Sequence, residues 1–135
     1  DCIIEAELYP EPQSPDGSAG VMFRLTEPSE GGEGDDPELG IHFFIGYCVS
    51  LAKDSIVLTK HSYDEKEVLR KEIGDSMCAH KVRIEAVADY FSVFMDESEK
   101  PVIEYRDRNP YTHGRAGIRA KDCLVKEAVI RISKT

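Results

Sequence analysis

Residues 80–100 read "HKVRIEAVADYFSVFMDESEK", and the fold turns on how this stretch is parsed. Val82, Ile84, Ala86 and Ala88 fall on alternate positions, which is the period of a strand with one buried face. Phe91 to Asp96 begins a second run after only Ala88-Asp89-Tyr90, a connection short enough for a hairpin. Asp96 to Lys100 makes a further turn before Pro101, and Val102 to Tyr105 continues as a third short run. Three consecutive strands with polar turns argue for an antiparallel sheet.

The same period extends in both directions. Ile3 to Leu8 places Ile4, Ala6 and Leu8 on one side and Ile3, Glu5 and Glu7 on the other. Val21 to Thr26 sets Val21, Phe23 and Leu25 against Met22, Arg24 and Thr26. Ile41 to Leu51 keeps Phe43, Ile45, Tyr47, Val49 and Leu51 in one register. Ser55 to Lys60 is a thinner strand, and Glu67 to Ile73 fits either a strand or a short helix. Gly114 to Ala120 and Leu124 to Ile132 complete the series. Breakers punctuate it, notably the proline-rich segment from Pro10 to Gly17 and the acidic, glycine-rich segment from Glu27 to Gly40, which reads as a mobile surface loop. The expected fold is all-β, a two-sheet antiparallel jelly-roll sandwich, with residues 1–135 forming a single β-sandwich domain.

Composition narrows the function classes. With 41% hydrophobic residues and a net charge of −9, the chain is globular in balance and lacks the basic excess that nucleic acid or an anionic membrane requires. No apolar run approaches the roughly 18 residues of a membrane span. Asp1 opens a strand-like run without a basic leader region, so no signal peptide is expected. Cys2, Cys48, Cys78 and Cys123 form no C-x-x-C pair, which excludes zinc-type spacing. Their scatter favours thiols and a cytoplasmic, reducing compartment, with disulfides and an extracellular location left open.

Chemistry-bearing patterns are sparse. His42, His61, His80 and His113 are too scattered for a metal pair and read as surface or strand-end residues. No nucleophile elbow, phosphate loop or dinucleotide fingerprint is present, and no nucleophile–base pair stands out in the sequence. The loop acids Glu27, Glu30, Glu33, Asp35, Asp36 and Glu38 lack the ligand order of a calcium loop. Glu5 and Glu7 share a strand face with a spacing compatible with paired glycosidase acids, although 26 acidic residues make such coincidences common. If the first two strands are neighbours, Glu5, Glu7 and Arg24 share an open sheet face. There they would form either a cross-strand salt bridge or a set of donors and acceptors for sugar hydroxyls.

Taken in order, "DCIIEAEL", "GVMFRL", "GYCVSL" with "DSIVL", the 80–107 stretch, "PYTHGRAGIRA" and "AVIRI" resemble the concanavalin A-like jelly-roll modules appended to glycoside hydrolases. These include fructan-binding and arabinofuranosidase-linked modules and are related to 3-keto-disaccharide hydrolase domains. The likeness spans nearly the whole chain and rests on order and spacing more than on any one element. It implies a carbohydrate-binding or accessory module, non-catalytic by itself, partnered by carbohydrate or by a catalytic domain in the same chain. Matched to the family pattern, the ligand-binding residues are Glu5, Glu7, Arg24 and Arg119, with Tyr111 and His113 at the rim, and Asp96 closes the hairpin strand. Two other outcomes stay open: a structural module without glycan binding, and a 3-keto-glycoside hydrolase domain. Departures matter as well. Cys48 replaces the second aromatic of the family's "G-Y-Y", the chain has no Trp, and Lys126 stands where an aspartate could help hold calcium. The chain also starts at a strand that family members reach after earlier ones, as a module of a longer protein would.

Overall fold

In the computed structural model, residues 1–26, 45–62, 65–74 and 78–134 are described. Ten strands account for most of them. They are β1 (Cys2–Pro12), β2 (Ser18–Thr26), β3 (Ile45–Ala52), β4 (Ser55–Ser62), β5 (Glu65–Glu72), β6 (His80–Val87), β7 (Tyr90–Met95), β8 (Ile103–Arg106), β9 (Arg115–Lys121) and β10 (Cys123–Lys134). Two five-stranded sheets result, one ordered β10-β1-β6-β7-β8 and the other β5-β4-β3-β2-β9. Every paired neighbour is antiparallel. The chain is an all-β jelly-roll sandwich, as its periodicity predicts, and the ambiguous segment near Glu67 is a strand.

The alternating apolar positions meet between the sheets. Ile4, Leu8, Ile84, Phe91 and Ile103 from the first sheet face Val21, Phe23, Tyr47, Leu51, Ile56 and Leu58 from the second, all essentially inaccessible to water. Burial of each such side chain contributes roughly 1.5–3 kcal/mol. Three rings form the centre. Phe23 stacks on Tyr47 at 5.2 Å, and Phe91 meets both edge-on at 5.3 and 4.7 Å.

One expected adjacency is not met. β1 and β2 do not pair; they lie in opposite sheets. The breaker segment after Pro12 carries the chain from one sheet to the other instead of closing a hairpin. It is fastened by hydrogen bonds from Gln13 N–H to Asp122 C=O (2.7 Å) and from Gly17 N–H to Ser14 C=O (3.0 Å). Asp122, at φ 46°, makes the matching crossover from β9 to β10. The last two strands thereby pair with the first two, β10 with β1 and β9 with β2.

β1 also runs further than expected, through Pro10 and Pro12. Its pairing with β6 ends at Leu8, and the register against β10 shifts between Leu8 and Pro10. Beyond Leu8 only one edge of the strand is engaged, so prolines without an N–H are tolerated there.

Candidate functional site

Glu5 and Glu7 point to the outer face of the first sheet, opposite the core register of Ile4, Ala6 and Leu8. Their cross-strand neighbours are cationic or apolar. Glu5 lies between Arg131 of β10 and Arg83 of β6, and Glu7 lies between Val129 and Lys81. Arg83 is in turn opposite Phe94 of β7, with its guanidinium carbon 4.3 Å from the ring centroid. These side chains line a groove of about 390 Å³ with Glu97 and Ser98 at its end. Carboxylates alternate with guanidinium and ammonium groups across the strands, and one ring ends the row, which gives alternating acceptors and donors beside a small apolar surface.

Several contacts hold the groove in shape. Lys81 Nζ is 3.1 Å from Glu97 Oε1 and 3.7 Å from Glu7 Oε1. The hydrogen bond and charge of Glu97, followed by the charge of Glu7, raise the Lys81 pKa above its ordinary value. Arg83 Nη2 is 3.4 Å from Glu85 Oε1. Its Nε is covered and has no hydrogen-bond partner among the described residues, which leaves the guanidinium under-satisfied in this arrangement.

Arg24 does not belong to this face. The register of β2 shifts against both neighbours around Arg24, between Phe23 and Thr26 on one side and between Met22 and Leu25 on the other. Arg24 itself adopts φ 49°. This bulge breaks the alternation that would send Arg24 outward. Its guanidinium is buried, donates from Nη1 to Ala88 C=O (2.6 Å) and Tyr111 C=O (2.8 Å), and lies 5.0 Å from the centroid of Phe91. The Asp1 carboxylate is 3.9 Å away and also accepts from the Ala88 N–H at 2.8 Å. Arg24 therefore ties the two sheets and the segment before β9 together at one end of the sandwich.

Tyr111 belongs to the same tie. Its N–H donates to the Tyr47 hydroxyl at 3.0 Å, and that hydroxyl donates to Asp107 Oδ2 at 2.6 Å. Lys60 Nζ pairs with the same oxygen at 2.7 Å, donates to Asn109 C=O at 2.8 Å, and sits 4.8 Å from the Tyr111 ring centroid. Burial drives the Tyr47 pKa up, with the Asp107 hydrogen bond adding to it. For Asp107 burial acts against the carboxylate, but hydrogen bonds from Lys60, Tyr47 and the Asn109 N–H outweigh it and hold the pKa below normal. A depressed carboxylate pKa stabilises the fold above about pH 4, the unfolded value, and that stability is lost as pH falls through the lower folded value. We expect Asp107→Asn to cost about 1–2 kcal/mol at pH 7. It should also flatten the acid limb of stability below about pH 4, read by urea denaturation at stepped pH. An unchanged acid limb would remove Asp107 as its source.

Arg119 and His113 lie elsewhere again. Arg119 is buried on the outer side of the second sheet, opposite Gly20 of β2. A Cβ at Gly20 would come within 2.5 Å of Val49 O and 2.7 Å of Ser50 Oγ. His113 is exposed in the segment before β9. The six expected ligand residues are thus divided between an open groove (Glu5, Glu7), an interior tie (Arg24, Tyr111), the opposite sheet (Arg119) and an exposed turn (His113). Arg83, Phe94, Lys81 and Arg131, which complete the groove, go unnoticed in the sequence because only the pairing of β1 with β6 and β10 brings them to Glu5 and Glu7.

One reading of the histidines also changes. His61 lies next to last in β4, at a strand end as expected, but it is not superficial: it is fully buried, with Nε2 2.8 Å from Thr59 Oγ1. Cys48 faces away from Tyr47, as the register requires, and is buried, 3.2 Å from Ser50 Oγ. All four cysteines are thiols in this structure. His42, the acidic loop and the Lys126 side chain lie outside the described residues. Among the described residues, no group of three or more His, Cys, Asp or Glu side chains is arranged to hold a metal ion.

Two solved structures share this β-sandwich fold. The carbohydrate binding module CBM66 from Bacillus subtilis superimposes with a TM-score of 0.72 at 18% identity, over 97% of this chain and 71% of that one. Sheep galectin-11, solved in complex with glycerol, superimposes with a TM-score of 0.54 at 10% identity, over 96% of this chain and 89% of that one. No protein-family model matches the sequence. No curated protein sequence matches it.

Proposed function

We propose that this chain is a non-catalytic carbohydrate-binding β-sandwich module that takes sugar hydroxyls on the open face of the β10-β1-β6-β7-β8 sheet. The observation that carries the reading is the 390 Å³ groove lined by Glu5, Glu7, Lys81, Arg83 and Arg131, with Phe94 beside Arg83 at the end of the row. Carboxylates accept from hydroxyls, guanidinium and ammonium groups donate to them, and Phe94 with Val129 offers apolar surface to sugar C–H groups. The likeness to a carbohydrate binding module and to a galectin supports a glycan as ligand. Attachment to a glycoside hydrolase, and with it a place for residues 1–135 as one module of a longer chain, extends the same proposal.

An open polar groove with one partly covered ring desolvates little area, so the affinity belongs in roughly the millimolar range. Amide-resolved NMR titration with mono- and disaccharides is the appropriate measurement. Shifts should centre on β1, β6 and β7, and Arg83→Ala should weaken binding by about tenfold or more, the equivalent of one charged hydrogen bond. Glu5→Gln tests the acceptor side. Shifts centred on Arg119 or the segment before β9 would move the site; none with any glycan would sink the proposal.

A second reading is favoured by one feature. Edge strand β10 exposes Leu124 (55%) and, eight residues on, Ile132 (58%), two separate apolar side chains that another domain could cover. A purely structural module would show no glycan-dependent shift, and its Leu124→Ser/Ile132→Ser variant would lose association with the attached domain.

A further inference from the structure

Beside the groove, at the end of the β6–β7 hairpin remote from its Ala88-Asp89 turn, three side chains stand in a row. Cys78 Sγ is 3.3 Å from His80 Nε2, and His80 Nδ1 is 2.8 Å from Asp96 Oδ2. The hydrogen-bond roles follow from the end of the row. A carboxylate only accepts, so Nδ1 carries the imidazole proton and Nε2 of the neutral ring presents its lone pair to the thiol. This is the order nucleophile, base, orienting acid that activates a weak nucleophile by removing its proton. We propose that Cys78, His80 and Asp96 form a nucleophilic thiol site for small uncharged carbon electrophiles. The proposal is independent of glycan binding.

The orienting acid is itself fixed. Asp96 closes β7 with φ 53°, followed by Glu97 at φ 63°, two successive non-glycine residues in left-handed conformation. Asp96 Oδ1 accepts from the Lys81 N–H at 3.0 Å, while the Asp96 N–H donates to Lys81 C=O at 2.8 Å. With both ends held, the second carboxylate oxygen has one direction to point, toward His80. The imidazole is mostly covered, its side chain 12% exposed, whereas Cys78 is exposed. A reagent therefore reaches the sulfur while the base behind it is kept in place. Elsewhere Cys48 and Cys123 are buried, and burial pushes the Cys123 thiol pKa up.

A groove of about 270 Å³ adjoins the row, lined by Glu7, Tyr9, Ala79, Lys81 and Glu97 besides His80 and Asp96. That volume falls just below the range of drug-sized ligand sites, so it admits only a reagent of a few heavy atoms. The charged groups that line this groove with the imidazole, from β1, β6 and the β7 end, are Glu7, Lys81, Asp96 and Glu97, with the Tyr9 phenol beside them; Cys78 stands next to the groove, 3.3 Å from His80 Nε2. Three acids against one ammonium, itself engaged by Glu97 and Glu7, disfavour an anionic reagent. In the reaction the thiol proton passes to His80 Nε2 and the sulfur pair forms a bond to carbon. The bond from carbon to the leaving group breaks, and the leaving group departs with its electron pair. The imidazolium then returns its proton to water.

Iodoacetamide, which loses iodide in this step, is the probe, with alkylation at each cysteine followed by peptide mass spectrometry on the whole chain. At pH 6.5–7 Cys78 should react about 100-fold faster in the wild type than in His80→Ala, the low end of the range a positioned base supplies. Asp96→Asn, which leaves the thiol and imidazole in place, should slow it as well and shift its pH profile. Iodoacetamide should be preferred over iodoacetate by a wider margin than for cysteine in solution. Equal Cys78 rates in wild type and His80→Ala would overturn the proposal. So would a wild-type Cys78 that reacts no faster than free cysteine at pH 6.5–7, a result that needs no variant to fold.

Discussion

Replacing Arg24 by alanine is expected to lower the unfolding free energy by about 3–5 kcal/mol, the range seen when a buried charged hydrogen-bonding side chain is deleted. Its two donated bonds reach carbonyls from different places, Ala88 in the β6–β7 turn and Tyr111 in the segment before β9. Without them both carbonyls are left facing a void beside Phe91. Arg24→Met keeps most of the volume and should lose about 2 kcal/mol, the share owed to the hydrogen bonds. Urea denaturation of the two variants separates packing from hydrogen bonding. If Arg24 were instead a ligand residue, Arg24→Ala would abolish glycan binding with the urea midpoint unchanged. A loss under about 1 kcal/mol would refute the tie described above.

Gly114→Ala is expected to be nearly as damaging, at about 3 kcal/mol or more. Gly114 has φ 144°, and a Cβ there would fall 2.4 Å from Arg24 C, 2.5 Å from Leu25 N and 2.6 Å from Leu25 O. All three are backbone atoms of the bulge that turns Arg24 inward, so no flexible side chain can yield. The bulge must open, and Arg24 loses its direction with it. The two substitutions act on one feature and should couple. Arg24→Ala with Gly114→Ala is expected to cost less than the sum of the single changes, by about 1 kcal/mol or more in a double-mutant cycle. Strict additivity would show that the glycine serves something other than the bulge.

The period-two pattern carries most of the fold. Ile4, Leu8, Val21, Phe23, Tyr47, Val82, Ile84 and Phe91 are all buried where alternation places them. Burial of one strand face is a local property of the sequence, since a shift by one residue would put the whole apolar set in water. The run from Gly114 to Ala120 was legible in the same way: Ala116 and Ile118 of β9 pack on the core while Arg115 points away.

The candidate site was legible only in part. Glu5 and Glu7 face outward by parity alone, and both line the groove. Which cations join them depends on strand order, which parity does not encode. Arg24 has the outward parity of a surface residue, but a bulge spends one extra residue and reverses it. The row of Cys78, His80 and Asp96 was hidden for a further reason. Cys78 and His80 are two apart, whereas Asp96 joins them only because β6 and β7 pair antiparallel and bring their far ends together.

By itself, then, the sequence determined which residues go inward, where the hairpin of β6 and β7 turns, and that two antiparallel sheets enclose one apolar layer. Those are consequences of side-chain alternation and turn chemistry, both readable within a few residues. Only the tertiary structure decided that β1 and β2 belong to different sheets and that Arg24 ties the interior. It alone showed Glu5 and Glu7 meeting Arg83, Arg131 and Phe94. Strand order and bulges follow from long-range pairing, in which every backbone group must find a partner across the whole sheet, and no local period records that choice.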